Sequence, residues 1–254
     1  MTKGWKEWAD RWVGIQNSCS RGCVYCFATY LDLRYKRIHS PEQRLNFQQR
    51  KSILNPDKKY DGRIAFPNTH DITESNYQKC RNYLDRLLKA GNNVLIVTKP
   101  DFNVIEQLIS DLENYRKQLE FRITIGSRHS DVLKQFEPGA SDFRERLESL
   151  SLLSDYSFET SVSIEPFLSR DVATLIEEIY WAVSRDIWVG KMNHFNNIVK
   201  YRPEIKTLQQ LYTDETLIAI YHELQQLQKR IPYVRGKIKF KDTFLDVLKK
   251  HGLK

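Results

Sequence analysis

The chain is poor in cysteine, glycine and proline, and it has no long apolar run. Only 4 of its 254 residues are cysteine. In a chain this large with no signal peptide, that number disfavours a disulfide framework, and the thiols read as reduced and cytoplasmic. No H-x3–5-H pair accompanies them, so a four-ligand structural zinc site is short of donors. No stretch approaches the length of a membrane span, and no membrane partner is expected. There is no internal repeat, low-complexity tract or linker, which points to a single domain over residues 1–254.

The rest of the composition is ordinary for a folded protein, at 41% hydrophobic and 28% charged residues. A chain this long can bury a full core without staples. The net charge of +8 stands out. It permits an anionic partner such as nucleic acid, and it fits a solvated Lys/Arg surface equally well.

Three of the four cysteines fall within eight residues, Cys19-Ser-Arg-Gly-Cys23-Val-Tyr-Cys26. The spacing is C-x3-C-x2-C. A cubane [4Fe–4S] cluster has four irons and normally takes four thiolates, so three leave one iron open to a ligand that is not the protein. An open iron suits chemistry on a bound small molecule better than electron transfer alone. Zinc and inert thiols are the competing readings. Cys80 lies roughly two to three turns into a predicted helix and reads as a packed core thiol.

Short β-rich runs alternate with longer amphipathic ones. Strands are predicted at Trp12–Ile15, Arg63–Phe66, Val94–Val97, Phe121–Ile125, Phe158–Ile164 and Ile187–Val189. Helices are predicted at Thr73–Ala90, Asp101–Leu119, Ser141–Leu153 and Asp171–Val183. Gly91 is a good stop for the first of these. In the second, Val104, Ile105, Leu108, Ile109 and Leu112 share one face. The alternation argues for parallel strands joined by crossover helices. The fold class is therefore α/β, a partial (βα)6 TIM-type barrel with the cysteine loop after its first strand. Residues 1–200 form the barrel core and 201–254 a C-terminal extension. That extension reads as a long polar surface helix at Thr207–Arg230, an alternating basic strand at Val234–Phe240 and a short helix at Asp242–Lys250.

In such a barrel the chemistry sits at the C-terminal ends of the strands. After the second strand the chain reads Asn68-Thr69-His70-Asp71, after the third Lys99, after the fourth Ser127-Arg128-His129 and after the fifth Glu165. The sixth is followed by Lys191 to His194. Loops are polar in any case. Lys99 is harder to dismiss, because an unpaired lysine between a buried strand and Pro100 is costly. Its ammonium suits the carboxylate of a bound amino acid.

The cysteine loop, with Tyr25 before the third cysteine, resembles the C-x3-C-x-aromatic-C signature of the radical S-adenosylmethionine (SAM) superfamily. Further stretches resemble the branch typified by spore photoproduct lyase, the DNA repair photolyase-like proteins. They are Ser18–Ala28, Val94–Pro100, Phe121–Ser127, Phe136-Glu-Pro-Gly-Ala140 with Arg144, Arg146 and Leu147 after it, and Ser163-Ile-Glu-Pro166. The resemblance implies the radical SAM core barrel and an enzyme. It implies that Cys19, Cys23 and Cys26 hold a [4Fe–4S] cluster and that Lys99 contacts the SAM carboxylate. Tyr25, Ser127 and Glu165 are implied as further SAM contacts. It also implies reductive cleavage of SAM to methionine and a 5′-deoxyadenosyl radical that abstracts a substrate hydrogen. The electron would come from a donor such as flavodoxin or ferredoxin. One departure is plain. The lyase carries a hydrogen-donating cysteine at the end of its second strand, where this chain reads Ala65 to Ile72 with no cysteine. With no second cysteine cluster, auxiliary-cluster maturases are disfavoured.

Three functions compete. The first is a radical SAM enzyme that modifies or repairs a nucleic acid or nucleotide. Trp5, Trp8, Arg11 and Trp12 at one end, and Arg235, Lys237, Lys239 and Lys241 at the other, would supply stacking and phosphate contacts. The basic strand reads equally as a solvated edge. The second is a radical SAM enzyme acting on a small metabolite or peptide, and the third a non-enzymatic metal-binding module. Nothing in the sequence speaks to oligomeric state.

Overall fold

The computed structural model describes residues 7–46, 50 and 53–253. Seven strands form one parallel sheet in sequence order: β1 (Arg11–Trp12), β2 (Arg63–Phe66), β3 (Asn93–Thr98), β4 (Leu119–Thr124), β5 (Glu159–Ile164), β6 (Ile187–Val189) and β7 (Ile238–Phe240). The sheet is a half-barrel, a partial TIM barrel.

The period-2 alternation of the strands sorts their side chains onto two faces. Ile64 and Phe66, Val94 and Ile96, Phe121 and Ile123, Val162 and Ile164, Ile187 and Val189 join one core with the surrounding helices. The other face is unlike a packed TIM interior. Ala65 and Leu95 make a small separate cluster with Trp8, Trp12 and Val97. Beside them Glu120, Arg122 and Ser161 are buried and polar. Glu120 accepts from Arg63 at 2.6 Å and from Arg122 at 2.9 Å, and Arg122 Nε donates to Ser161 Oγ at 2.9 Å.

The helices follow the apolar stripes. α1 (Phe27–Arg34) leaves the cysteine loop directly. α2 (Tyr77–Lys89) buries Cys80, Tyr83, Leu84, Leu87 and Leu88. It is entered through a Thr73/Asn76 capping box and left at Gly91, whose φ of 82° suits glycine. α3 (Phe102–Leu112) buries the five apolar residues that share its stripe. α4 (Ser130–Phe136), α5 (Phe143–Asp155), α6 (Val172–Ile179) and α7 (Phe195–Ile198) complete the crossovers.

The C-terminal segment is more than an appendage. The run predicted as one surface helix at Thr207–Arg230 divides into a 3-10 segment at Pro203–Tyr212 and α8 (Asp214–Arg230). Thr213 separates them, its hydroxyl accepting from Thr216 N at 3.3 Å. α8 buries Leu217, Ile220, Leu224 and Leu227 on one face. The basic strand becomes β7 and pairs with β6, so the sheet takes one strand more than the six expected. α9 (Asp242–Lys250) packs Phe244, Val247 and Leu248 into the core. Among the described residues, no helix is long and apolar enough to cross a membrane.

Candidate cluster and cofactor site

β1 is two residues long, shorter than the predicted Trp12–Ile15. The chain still bonds to its neighbour past the strand, with Val13 N donating to Ala65 O at 3.0 Å and Asn68 N to Val13 O at 3.0 Å. It turns away where the run after β2 crosses it. A side chain at Gly14 would stand 2.8 Å from Thr69 Oγ1. Thr69 Oγ1 donates to Gln16 O at 2.6 Å, and Ile15 N donates to His70 Nε2 at 3.1 Å. The other ring nitrogen of His70 faces Asp71 O at 2.9 Å. Burial lowers the His70 pKa, so the ring is a neutral peg between two backbone groups.

The loop is fixed from within by Arg21, which is 4% exposed. Its guanidinium donates to Asp71 Oδ2 at 2.9 Å, Asp101 Oδ1 at 2.7 Å, Lys99 O at 2.7 Å and Gly139 O at 3.1 Å. One side chain between Cys19 and Cys23 thus ties the loop to the ends of β2 and β3 and to the turn after α4. Burial disfavours the Arg21 charge, but Asp71 and Asp101 outweigh it and hold the guanidinium above its ordinary pKa. Asp71 is itself held by Ile72 N at 2.8 Å, Lys99 N at 3.0 Å and the Thr98 hydroxyl. From the other side Gly139 N donates to Arg21 O at 2.9 Å and Val24 N to Phe136 O at 2.9 Å. Gly139 has no room for a side chain, since a Cβ would lie 2.3 Å from Ser20 O.

Cys19, Cys23 and Cys26 are half-buried and line one cavity of ≈ 210 Å³ with Gly22, Thr29, Arg44, Pro138 and Arg202. Burial raises the Cys23 thiol against the pull of Lys99. Cys19 is raised by burial and by Asp71. Cys26 is lowered, because Arg44 and hydrogen bonds from Thr29 and the Ala28 N–H overcome its burial. Cys80 is in none of this; it is buried in α2 with its Sγ 3.4 Å from Asn76 Oδ1. Among the described residues no three His, Cys, Asp or Glu side chains converge on a single-ion position. Ligands to a cubane bind different irons and need no common point. Three thiols on one braced loop around a cavity, with the fourth cysteine remote, fit a three-thiolate cluster and leave zinc short of ligands.

Lys99 lies beside this loop. Its ammonium is 5.6 Å from the centre of the Tyr25 ring. Burial works against its charge, but Cys23, Glu137 and Asp71 outweigh burial and raise its pKa. Among the described residues it makes no ion pair within 4.0 Å. Tyr25 is buried, its hydroxyl donating to Glu137 and its pKa raised by burial and that carboxylate. Glu137 pairs with Arg146 at 2.5 Å, both fully buried. Arg146 also donates to Thr124 O at 3.0 Å and to Ser141 O at 2.7 Å. The chain Tyr25–Glu137–Arg146 therefore runs from the cysteine loop to the end of β4.

Ser127 and Glu165 occupy neighbouring strand ends but belong to other groups. Ser127 is fully buried; its Oγ donates to Ser169 Oγ at 2.9 Å and accepts from His129 N at 3.1 Å. Glu165 accepts from Asn193 Nδ2 at 2.6 Å and lies 3.8 Å from the Lys241 ammonium. Burial pushes its pKa up to about 7 despite Lys241.

No protein-family model and no curated protein matches the chain. Solved structures do. Streptococcus suis SuiB bound to S-adenosylmethionine matches at 10% identity and a TM-score of 0.57, over 90% of this chain and 48% of that one. SuiB bound to its precursor peptide SuiA matches at 9% identity and 0.63, over 94% and 50%. A tyrosine-to-phenylalanine mutant of spore photoproduct lyase matches at 16% identity and 0.54, over 91% and 76%. The half-barrel fold is shared with these structures. The chain spans about half the length of SuiB.

Within this fold, the residues singled out in the sequence fall at the strand ends. Cys19, Cys23, Cys26, Tyr25 and Lys99 come together, while Ser127 and Glu165 stand apart in their own hydrogen-bonded groups. Sequence reasoning passed over Arg21 and Arg44, and it placed Asp71 at a strand end without a role; their partners lie far along the chain. It quoted Glu137 and Arg146 without a role; two charged residues flanking a Pro-Gly turn were the available signal. Of the residues considered for nucleic acid, Trp5 lies outside the described ones. Trp8 and Trp12 face the lumen, and Arg11 sits over the Tyr60 ring at 5.2 Å. Lys239 is exposed. Lys237 donates to Val183 O at 2.9 Å, and Lys241 is buried against Glu7.

Proposed function

We propose that the chain is a radical SAM enzyme. Cys19, Cys23 and Cys26 would hold a [4Fe–4S] cluster, and Lys99 would hold the carboxylate of SAM. The observation that carries this is the pairing of a three-thiol cavity with an ammonium that has no ion pair among the described residues. Bound together, cluster and SAM supply a 5′-deoxyadenosyl radical able to take a hydrogen atom from a C–H bond. The residues of this chain do the rest. Arg21 and Gly139 set the loop, Tyr25 and Glu137 make the floor beside Lys99, and the buried strand ends exclude water. The electron would come from a one-electron carrier such as flavodoxin or ferredoxin, in the cytoplasm. The substrate read here is a nucleic acid or nucleotide, supported by the net charge of +8 and the stretches resembling spore photoproduct lyase.

The test is anaerobic reconstitution with iron and sulfide, then SAM and dithionite. Formation of 5′-deoxyadenosine is expected, lost on replacing any one of Cys19, Cys23 or Cys26 by Ala and kept in Cys80→Ala. A Cys80→Ala protein that fails to bind iron would replace this reading with a four-cysteine site. Deuterium transfer from a labelled oligonucleotide into 5′-deoxyadenosine would identify the substrate class.

A further inference from the structure

The lumen of the half-barrel is partly filled by the chain's own N-terminal side. Trp8 has two cations against its ring, the Arg122 guanidinium 4.8 Å and the Lys241 ammonium 4.4 Å from its centre. Trp188 meets it edge-on, with centres 6.1 Å apart at 63°. Cations on a flat ring and an aromatic wall beside it select an aromatic guest by its face. Trp8 satisfies the faces of this cage and leaves its edges unmet. Among the described residues, Arg122 Nη1 and the indole N–H groups of Trp8 and Trp188 are buried without a hydrogen-bond acceptor. Arg122 is only 2% exposed. Indole is a donor only and cannot serve its neighbours. A nucleobase has the same flat face and carries ring nitrogens and carbonyl oxygens along its edge.

The hold on Trp8 is local and polar. The Glu7 carboxylate pairs with Lys241 and accepts from Asp242 N at 3.3 Å. The Trp8 ring is outside the main core, packing with Ala9, Ala65, Leu95, Trp12 and Val97. It remains half-buried, as does Trp188. On the other side of Lys241, Glu165 lies 3.8 Å from the ammonium and accepts from Asn193 Nδ2 at 2.6 Å.

We propose that Trp8 is a placeholder: the space between Arg122, Lys241 and Trp188 is the seat of the substrate's base, and the Glu7–Lys241 pair is the latch that lets Trp8 leave when a base arrives. This rests on the nucleic-acid reading of the substrate. A base presented by a single strand or flipped from a duplex would stack where the indole now lies. Arg122 and Trp188 would then read its edge.

The experiment uses the reconstituted full chain with mixed-sequence single-stranded RNA and DNA 20-mers at about 50 mM salt. Hydrogen exchange over residues 7–14 is followed with and without the oligonucleotide. Faster exchange on binding is the expected result. Unchanged or slower exchange in the bound protein overturns the placeholder and leaves the nucleic-acid reading standing. No binding of either oligonucleotide overturns both. Glu7→Gln, which keeps the shape of the side chain, weakens the latch. It is expected to tighten oligonucleotide binding by about 3- to 10-fold, because less of the protein is held closed. Unchanged or weaker binding of that variant overturns the latch.

Discussion

Arg21→Met offers the sharpest test of how the cysteine loop is held. The methionine fills much of the same space and removes every donor. The Arg21–Asp71 pair is buried on both sides, at 4% and 7% exposure. Removing one partner of such a pair typically costs about 3–5 kcal/mol. Asp71 would keep Ile72 N, Lys99 N and the Thr98 hydroxyl, so its own loss falls at or below the lower end of that range. The carbonyls of Lys99 and Gly139 lose donors as well, at about 1–3 kcal/mol for each one left buried and unmet. These contributions share one side chain and do not add cleanly. A net loss of about 3–5 kcal/mol is expected, or a fall in Tm of about 6–20 °C for a chain of this size. The assay is calorimetry on the reduced apoprotein under anaerobic conditions, followed by iron counted per chain after reconstitution. Iron should fall with stability, because the thiols sit on the braced loop. The double variant Arg21→Met with Asp71→Asn should recover part of the loss, since no unpaired charge remains. A Tm within about 3 °C of the parent, with full iron, would refute the brace.

Lys99→Ala should weaken SAM binding to the reconstituted protein by about 1.5–3 kcal/mol, the usual worth of a hydrogen bond to a charged group; unchanged binding by calorimetry would remove Lys99 from the site. Burial pushes the Glu165 carboxyl up to about 7, above the ordinary carboxylate range. The stability this gives is full below the unfolded pKa and is lost as pH rises toward 7. Glu165→Gln should therefore match the parent near pH 4 and be relatively more stable near pH 8, and a constant difference between the two across that range would contradict the assignment. Efficient reversal of spore photoproduct is not expected. Thr69 and His70 are committed to backbone partners where the lyase has its thiol, and Cys80 is buried in α2. Multiple-turnover thymidine release from a spore-photoproduct dinucleotide under anaerobic reducing conditions would overturn that expectation.

The parts legible in the sequence are those written in local pattern. The strands at Arg63–Phe66 and Ile187–Val189 and the helix at Asp242–Lys250 have the predicted bounds, because their apolar spacing is unambiguous. The place of Lys99 beside the cysteine loop was hinted at by a lysine between a buried strand and a proline, which is physically odd. β1 was overextended: Trp12 to Ile15 looks like a strand, yet Asn68 and His70 capture the backbone groups of Val13 and Ile15. β7 was visible as a strand but not as a member of the sheet, since its mixed basic pattern suits an edge as well as a seventh position. Arg21, Glu137 and Arg146 were opaque for one shared reason. Each takes meaning from partners brought together only by the closed fold, and a buried arginine looks in sequence like any surface cation.

The reach of Arg21 also sets an order of events as the chain is made. Its partners stand 50, 78, 80 and 118 residues downstream. At about 5–20 residues per second of synthesis, the last arrives about 6–24 s after the cysteines themselves. Until Gly139 has emerged, the frame of the three-thiol loop is incomplete. Loading of iron and sulfide onto the nascent N-terminal segment would meet ligands with no fixed spacing, open to any passing metal or oxidant. The timing favours delivery to a finished chain, in which the cradle precedes its contents.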